Sequence, residues 1–237
     1  MIFEPIASSS AGNAYLSTDG KSRILMECGV PYKRLQKALN YAVQDVDACF
    51  ITHEHKDHAG HVGQLLKRGV PVYATAGTIH ALGADEIHPL LMFPGVSMGA
   101  PLQIATLTVV PFRVYHDAAE PVGYLIRGFD GSRMVFATDT VGMAYRFPAC
   151  EIYAVEANYC EEILSRNTRA PESVICRIRN THMDIRRTCD FLKLQDLSKC
   201  KEVWLLHLSS ASSDEVGFVK SVRQVVPKTT NVLIAPK

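Results

Sequence analysis

Val46-Asp47-Ala48-Cys49-Phe50-Ile51-Thr52-His53-Glu54-His55-Lys56-Asp57-His58 joins a β-prone apolar run to three imidazoles and two carboxylates. His is scarce in the chain, nine in 237 residues. The run after the motif, Ala59 to Arg68, reads as a helix. The polar cluster therefore sits where a buried strand ends and a helix begins, the position at which layered α/β folds collect their sites. Five such groups beside an apolar strand need partners, because burying them unpaired is costly. Neutral imidazole and carboxylate are ligands for zinc and its neighbours. His53 and His55, two apart in extended chain, point to one side; Asp57 and His58 follow where the chain turns. One ion cannot easily use all four. Two ions, with His53 and His55 on one and Asp57 and His58 on the other, is the simpler arrangement. A His-Glu-x-x-His zinc helix needs His at i and i+4 and does not fit.

The stretch resembles the hallmark motif of the metallo-β-lactamase superfamily. That resemblance implies a later His, a bridging Asp and a last His, each after a strand-like run, and the chain has them in order. They are His116 in Val114-Tyr115-His116-Asp117, Asp139 in Ala137-Thr138-Asp139, and His207 in Leu205-Leu206-His207-Leu208. Ala7-Ser8-Ser9-Ser10-Ala11-Gly12-Asn13, His116 to Tyr124, Glu156-Ala157-Asn158 and His207-Leu208-Ser209 narrow it to the YycJ/WalJ-like branch. The resemblance implies an α/β fold, the αββα four-layer sandwich, over one domain, 1–237. It also implies two divalent metal ions, zinc or manganese, with iron a further option. His53, His55, Asp57, His58, His116, Asp139 and His207 are the expected ligands.

Other roles follow from the same branch. Glu27 stands at a strand end where the family usually has Asp, and is expected to orient a ligand His. Asp57 and His182 are the catalytic candidates, His182 as a proton donor to a leaving oxygen. Ser8, Ser9, Ser10, Asn13 and Asn158 are candidate phosphate contacts. Tyr159 and Cys160 depart from the branch's usual His and Asp. The implied reaction is phosphodiester hydrolysis of DNA, exonuclease-like, with water activated by the ion pair. A small-molecule phosphodiesterase or lactonase is the alternative, since the same site serves other acceptors; a narrow pocket closed by 85–99 would favour it. A non-catalytic binding module is a third reading, opposed by the complete ligand set.

Composition sets bounds. An apolar content of 47% over 237 residues suits one large core. A net charge of +1 gives no broad basic field. Lys33, Arg34 and Lys37, and Arg166, Arg169, Arg177, Arg179, Arg186 and Arg187, allow a local basic groove, or else solvated helix faces. Seven Cys without a C-x-x-C pair point to a reducing compartment. No leader and no long apolar run is evident, so a cytoplasmic protein without membrane spans is expected.

Elsewhere the pattern predicts strands at 1–7, 14–18, 22–28, 71–74, 122–127, 133–138, 151–156, 203–208 and 231–234. It predicts two strands within 102–116, broken near Pro111. Helices are expected near 31–42, 75–82, 160–165, 171–179, 185–195 and 214–225, the last capped by Ser213. The stretch 85–99 reads as irregular.

Overall fold

Ile2–Ser9 (β1) and Gly12–Thr18 (β2) pair antiparallel around a two-residue turn, and Arg23–Met26 (β3) continues the sheet antiparallel to β2. Tyr32–Ala38 (α1) then carries the chain over to Ala48–Phe50 (β4), which is parallel to β3. Parallel neighbours need such a crossover. Lys56–Ala59 (α2) and Val62–Leu66 (α3) lead in the same way to Val72–Tyr73 (β5), completing the order β1-β2-β3-β4-β5. β3 and β4 read as unbroken apolar runs because both faces are covered: Ile24, Leu25, Met26, Ala48, Cys49 and Phe50 are all buried. Leu35, Leu39, Val62, Leu65, Val72 and Ile79 share one core cluster with Leu25, Cys49 and Ile51.

This computed structural model describes residues 1–83 and 101–237; the stretch 85–99, with His88, lies outside the described residues. The chain divides into two compact units. The first comprises Met1–Arg113, Ala118–Ser132 and Pro236–Lys237; the second comprises Val114–Asp117 and Arg133–Ala235.

The first unit also holds Ala76–Leu82 (α4), capped by the Thr75 hydroxyl, and the antiparallel strands Leu102–Ile104 (β6), Leu107–Arg113 (β7) and Val122–Arg127 (β8). Two expectations are corrected here. The break within 102–116 falls at Ala105–Thr106, and Pro111 lies inside β7 opposite Tyr124. Proline is tolerated there because β6 pairs only with Leu107–Val109, so position 111 needs no second ladder. The helix expected over Ala59–Arg68 is in two pieces and starts earlier, so Asp57 and His58 are themselves helical. The interruption has a partner: the His61 N–H donates to the Cys28 carbonyl, and the Cys28 N–H donates to the His58 carbonyl.

The second unit is a parallel sheet of Arg133–Ala137 (β9), Ile152–Glu156 (β10), Glu202–Leu206 (β11) and Asn231–Ile234 (β12), with β10 between β9 and β11. Glu161–Leu164 (α5), Glu172–Thr181 (α6) and Ile185–Lys193 (α7) connect β10 to β11, and Glu215–Arg223 (α8) connects β11 to β12. α7 buries Ile185, Cys189, Phe191 and Leu192, whereas α6 buries only Thr181. The cap of α8 is Asp214 rather than Ser213; its carboxylate accepts the Gly217 N–H.

Gly29 is what lets the loop after β3 lie against α2. A Cβ there would sit 1.7 Å from the Asp57 carbonyl oxygen, whereas one on Gly63 in α3 meets nothing within 4 Å. Gly29→Ala is expected to lower stability by about 3 kcal/mol or more, as backbone overpacking does. Gly63→Ala should raise it by up to about 1 kcal/mol through helix propensity. Urea unfolding of both variants checks the pair; equal effects would contradict the packing.

Candidate metal centre

In the first unit the motif leaves β4 and winds into α2. His53 and His58 are buried, with ring centroids 4.2 Å apart. His53 Nδ1 lies 2.8 Å from the Thr52 hydroxyl, and His53 Nε2 faces His55 Nδ1 at 3.1 Å. His58 Nε2 is 3.3 Å from Asp57 Oδ2, and the other ring nitrogen, Nδ1, is 3.5 Å from Glu27 Oε1. A carboxylate on that side favours the proton on Nδ1 and leaves the Nε2 lone pair for a ligand. Glu27 is fully buried and also accepts from the Thr52 N–H. Burial raises its pKa, with His58 and Thr52 acting against the rise.

The Ser8–Asn13 turn supports this cluster. Asn13 Nδ2 lies 3.1 Å from the Asp57 carbonyl oxygen, 3.3 Å from Asp57 Oδ2 and 3.1 Å from His58 Nε2. Tyr15 donates to Asn13 Oδ1, and Ser8 Oγ is 2.6 Å from the Tyr15 hydroxyl. Ser8 and Asn13 are thus buried under the motif, Ser9 Oγ caps the turn by accepting the Ala11 N–H, and Ser10 is exposed. Of the first basic group, Arg34 donates to the carbonyls of Ile6 and Lys237.

The second unit has its own cluster. His116 Nδ1 donates to the Thr181 carbonyl at 2.9 Å, leaving Nε2 to face Asp139 Oδ2 at 3.6 Å and Asp117 Oδ1 at 3.2 Å. Burial holds the His116 pKa below the usual imidazole value, although Asp139 and the Thr181 carbonyl oppose it. His207 Nε2 lies 3.7 Å from Asp139 Oδ1. Asn158 turns its amide to His207, donating to its carbonyl at 2.7 Å with Nδ1 at 3.1 Å. His182 closes α6, and its ring lies between those of His116 and His207, at 5.2 and 5.4 Å.

Glu156, to which the sequence reading assigned no role, organises this end. It is fully buried at the end of β10; Oε1 is 2.6 Å from His182 Nδ1, and Oε2 accepts the N–H groups of Thr140 and Met183. Burial works against the charged imidazole, but the Glu156 carboxylate outweighs it and holds the His182 pKa up to about 9. An acid directly after an apolar strand-like run, Ile152-Tyr153-Ala154-Val155, as Glu27 follows Ile24-Leu25-Met26, was the available signal.

Donor spacing tests whether these residues fit metal. Two ligands at about 2.0–2.2 Å from one tetrahedral ion lie about 3.3–3.6 Å apart. His53–His55 and His58–Asp57 in the first unit have donor separations of 3.1 and 3.3 Å. His116–Asp139 and Asp139–His207 in the second have 3.6 and 3.7 Å. All four pairs are of nitrogen and oxygen donors suited to a divalent ion. Asp139, Glu156, His182 and His207 also place donor atoms within 4.8 Å of one another. Glu156 and His182 already satisfy each other, so Asp139 and His207 are the better donors there.

The model for the beta-lactamase superfamily domain matches residues 22–207, most of the chain. The chain belongs to the metallo-β-lactamase superfamily. Within it the chain falls in the YycJ/WalJ-like branch. It is 29% identical to exodeoxyribonuclease YycJ of Bacillus anthracis, over 94% of this chain and 88% of that protein. It is 31% identical to exodeoxyribonuclease WalJ of Streptococcus pneumoniae serotype 2 (strain D39 / NCTC 7466), over 70% of this chain and 65% of that one. The structure is similar to that of the metallo-β-lactamase fold protein YhfI from Bacillus subtilis, with a TM-score of 0.73, 17% identity, and coverage of 99% and 96%. The expected α/β class, the αββα sandwich, therefore holds. The fold and its His and Asp clusters support binding of divalent metal.

The His182–Glu156 pair has a consequence for stability. A His whose pKa rises from 6.5 to about 9 on folding adds stability that is full below pH 6.5 and is lost as pH climbs through 9. For metal-free protein, urea unfolding between pH 7.5 and 10 should show a loss on the order of 1–3 kcal/mol that His182→Gln abolishes. Identical pH slopes in the two proteins would contradict the pairing.

Proposed function

We propose that the chain is a metal-dependent phosphodiesterase that degrades DNA as an exonuclease, its two units working as one domain. Four donor pairs, two in each unit and 3.1, 3.3, 3.6 and 3.7 Å apart, lie at or close to the separation of two ligands on one ion and support this reading. Asp139 carries it furthest, with one carboxylate oxygen turned to His116 and the other to His207. His53, His55 and His116 would serve one ion, Asp57, His58 and His207 the other, and Asp139 both. Zinc, manganese or iron suits such nitrogen and oxygen donors. Ions held there would bring the pKa of a water towards neutrality and withdraw charge from phosphate oxygens. Glu27 would keep the His58 ring aimed, and Asn13 would hold the Asp57 backbone. His182, kept protonated by Glu156, would give its Nε2 proton to the leaving oxygen.

The choice of DNA over a small phosphodiester rests on the YycJ and WalJ relatives; the 85–99 segment that was to discriminate the two lies outside the described residues. No helix among the described residues is long and apolar enough to cross a membrane, and all seven Cys are free. Free thiols are the form kept in a reducing compartment such as the cytoplasm.

Purified protein with Mn²⁺ or Zn²⁺ should shorten end-labelled duplex DNA progressively, and a chelator should stop it. Asp139→Ala is expected to lose turnover together with bound metal. Glu27→Gln should retain both sets of ligands but bind metal about 10–100-fold more weakly, as loss of a ring-orienting carboxylate does. No cleavage under conditions where a control exonuclease cuts would end the nuclease reading. Undiminished metal content in Asp139→Ala would end the ligand assignment.

A further inference from the structure

The segment Val114-Tyr115-His116 alternates in burial. Val114 and the His116 side chain point inward, at 2% and 1% exposed, and Tyr115 points outward at 54%. Extended chain dictates that alternation. It does not dictate an aromatic ring at the outward position, one residue from a candidate ligand.

The backbone of Tyr115 is fixed on both sides by the loop that follows β9. Its N–H donates to the Thr140 hydroxyl at 3.1 Å, and its carbonyl accepts the Val141 N–H at 2.9 Å. The ring is thus mounted on the same loop that presents Asp139, so it keeps a set place relative to the donors. On the other side of His116, Asp117 binds Arg177 of α6 through Nε at 2.8 Å, and the Arg177 side chain is 58% exposed. Outward aromatic, inward imidazole, then an exposed cation follow one another along a short stretch of surface. Single-strand binding surfaces combine such elements: the ring takes a base face and the cation lies along the backbone phosphates.

We propose that Tyr115 is the base-stacking residue of the DNA site, receiving the nucleobase next to the scissile phosphate while Arg177 lies along the strand. The assignment rests on the nuclease reading and adds to it a contact with the base, which no ligand or proton donor supplies. It makes the site prefer a strand whose terminal base is unpaired.

The test is binding of a single-stranded oligonucleotide in chelator, so that no turnover occurs, followed by cleavage with Mn²⁺. Tyr115→Ala should weaken binding about 5- to 150-fold, the range for loss of one base–aromatic stack. Tyr115→Phe and Tyr115→Trp should stay near wild type. An oligonucleotide with an abasic terminal residue should bind wild type and Tyr115→Ala alike. A terminal 2-aminopurine should be quenched by wild type and by Tyr115→Phe but not by Tyr115→Ala. Equal discrimination between intact and abasic strands in wild type and Tyr115→Ala, with wild type still cutting DNA, would overturn the stacking assignment alone. A wild type that neither binds nor cuts DNA would overturn the nuclease reading and this assignment together. Far-UV circular dichroism of Tyr115→Ala checks its fold, and Tyr115→Leu, similar in bulk but without a π face, carries the test with the same expected losses if that fold fails.

Discussion

Three polar side chains that follow strand ends are presented by sharp backbone turns, and this constraint shapes both units. Glu27, Asp139 and His207 each lie one or two residues past a strand end, and each has a positive φ, +64°, +48° and +53°. L-residues resist that region, at about 1–3 kcal/mol each. The surrounding bonds hold them there. Glu27 N–H donates to the Phe50 carbonyl, Thr138 Oγ1 donates to Asp139 Oδ1, and Asn158 binds the His207 carbonyl. Strain of this kind concentrates at functional sites: Glu27 faces His58 in the first unit, and Asp139 and His207 face each other in the second.

The same device appears twice: a fully buried glutamate at the end of a strand, satisfied by backbone N–H groups and facing an imidazole. In the first unit Glu27 accepts from the Thr52 N–H and faces His58; in the second Glu156 accepts from Thr140 and Met183 and binds His182. A buried carboxylate without such partners would be strongly destabilising. The two differ in reach. At 3.5 Å Glu27 steadies a ring whose other nitrogen faces a second donor. At 2.6 Å Glu156 makes a full charge-assisted bond and fixes a proton.

Much of this was legible in the residue pattern because ligands impose spacing. The pairs His53–His55 and Asp57–His58 were readable from separation along the chain, and the structure gives both pairs ligand-like distances. His116, Asp139 and His207 were identified through family resemblance, since nothing in local spacing links residues so far apart. What was missed depends on backbone partners that sequence does not display. Asn13 and Asn158 read as phosphate contacts, yet their amides are turned to the motif and to His207. The interrupted helix after the motif depends on the Cys28 carbonyl, from a loop some thirty residues away in sequence. Pro111 marked no break, because strand ends are set by the neighbouring strand's length and not by the proline alone.

The last step concerns two imidazoles with centroids 5.2 Å apart and opposite tendencies. His116 donates Nδ1–H to a peptide carbonyl and is buried, which keeps it neutral and leaves a lone pair at Nε2. His182 is bound to a carboxylate, which keeps it charged and leaves a proton at Nε2. The side chains are chemically the same; the partner at Nδ1, carbonyl or carboxylate, suits one to accept a cation at Nε2 and the other to give up a proton there. Environments that push neighbouring titratable groups apart are how one site supplies both roles at one pH. The partners come from two elements: Thr181 precedes His182 in α6, and Glu156 ends β10, where its carboxylate also accepts the Met183 N–H. The end of α6 thus carries the carbonyl that fixes the His116 ring and the His182 ring that Glu156 holds, so a shift of α6 would disturb both Nδ1 contacts together.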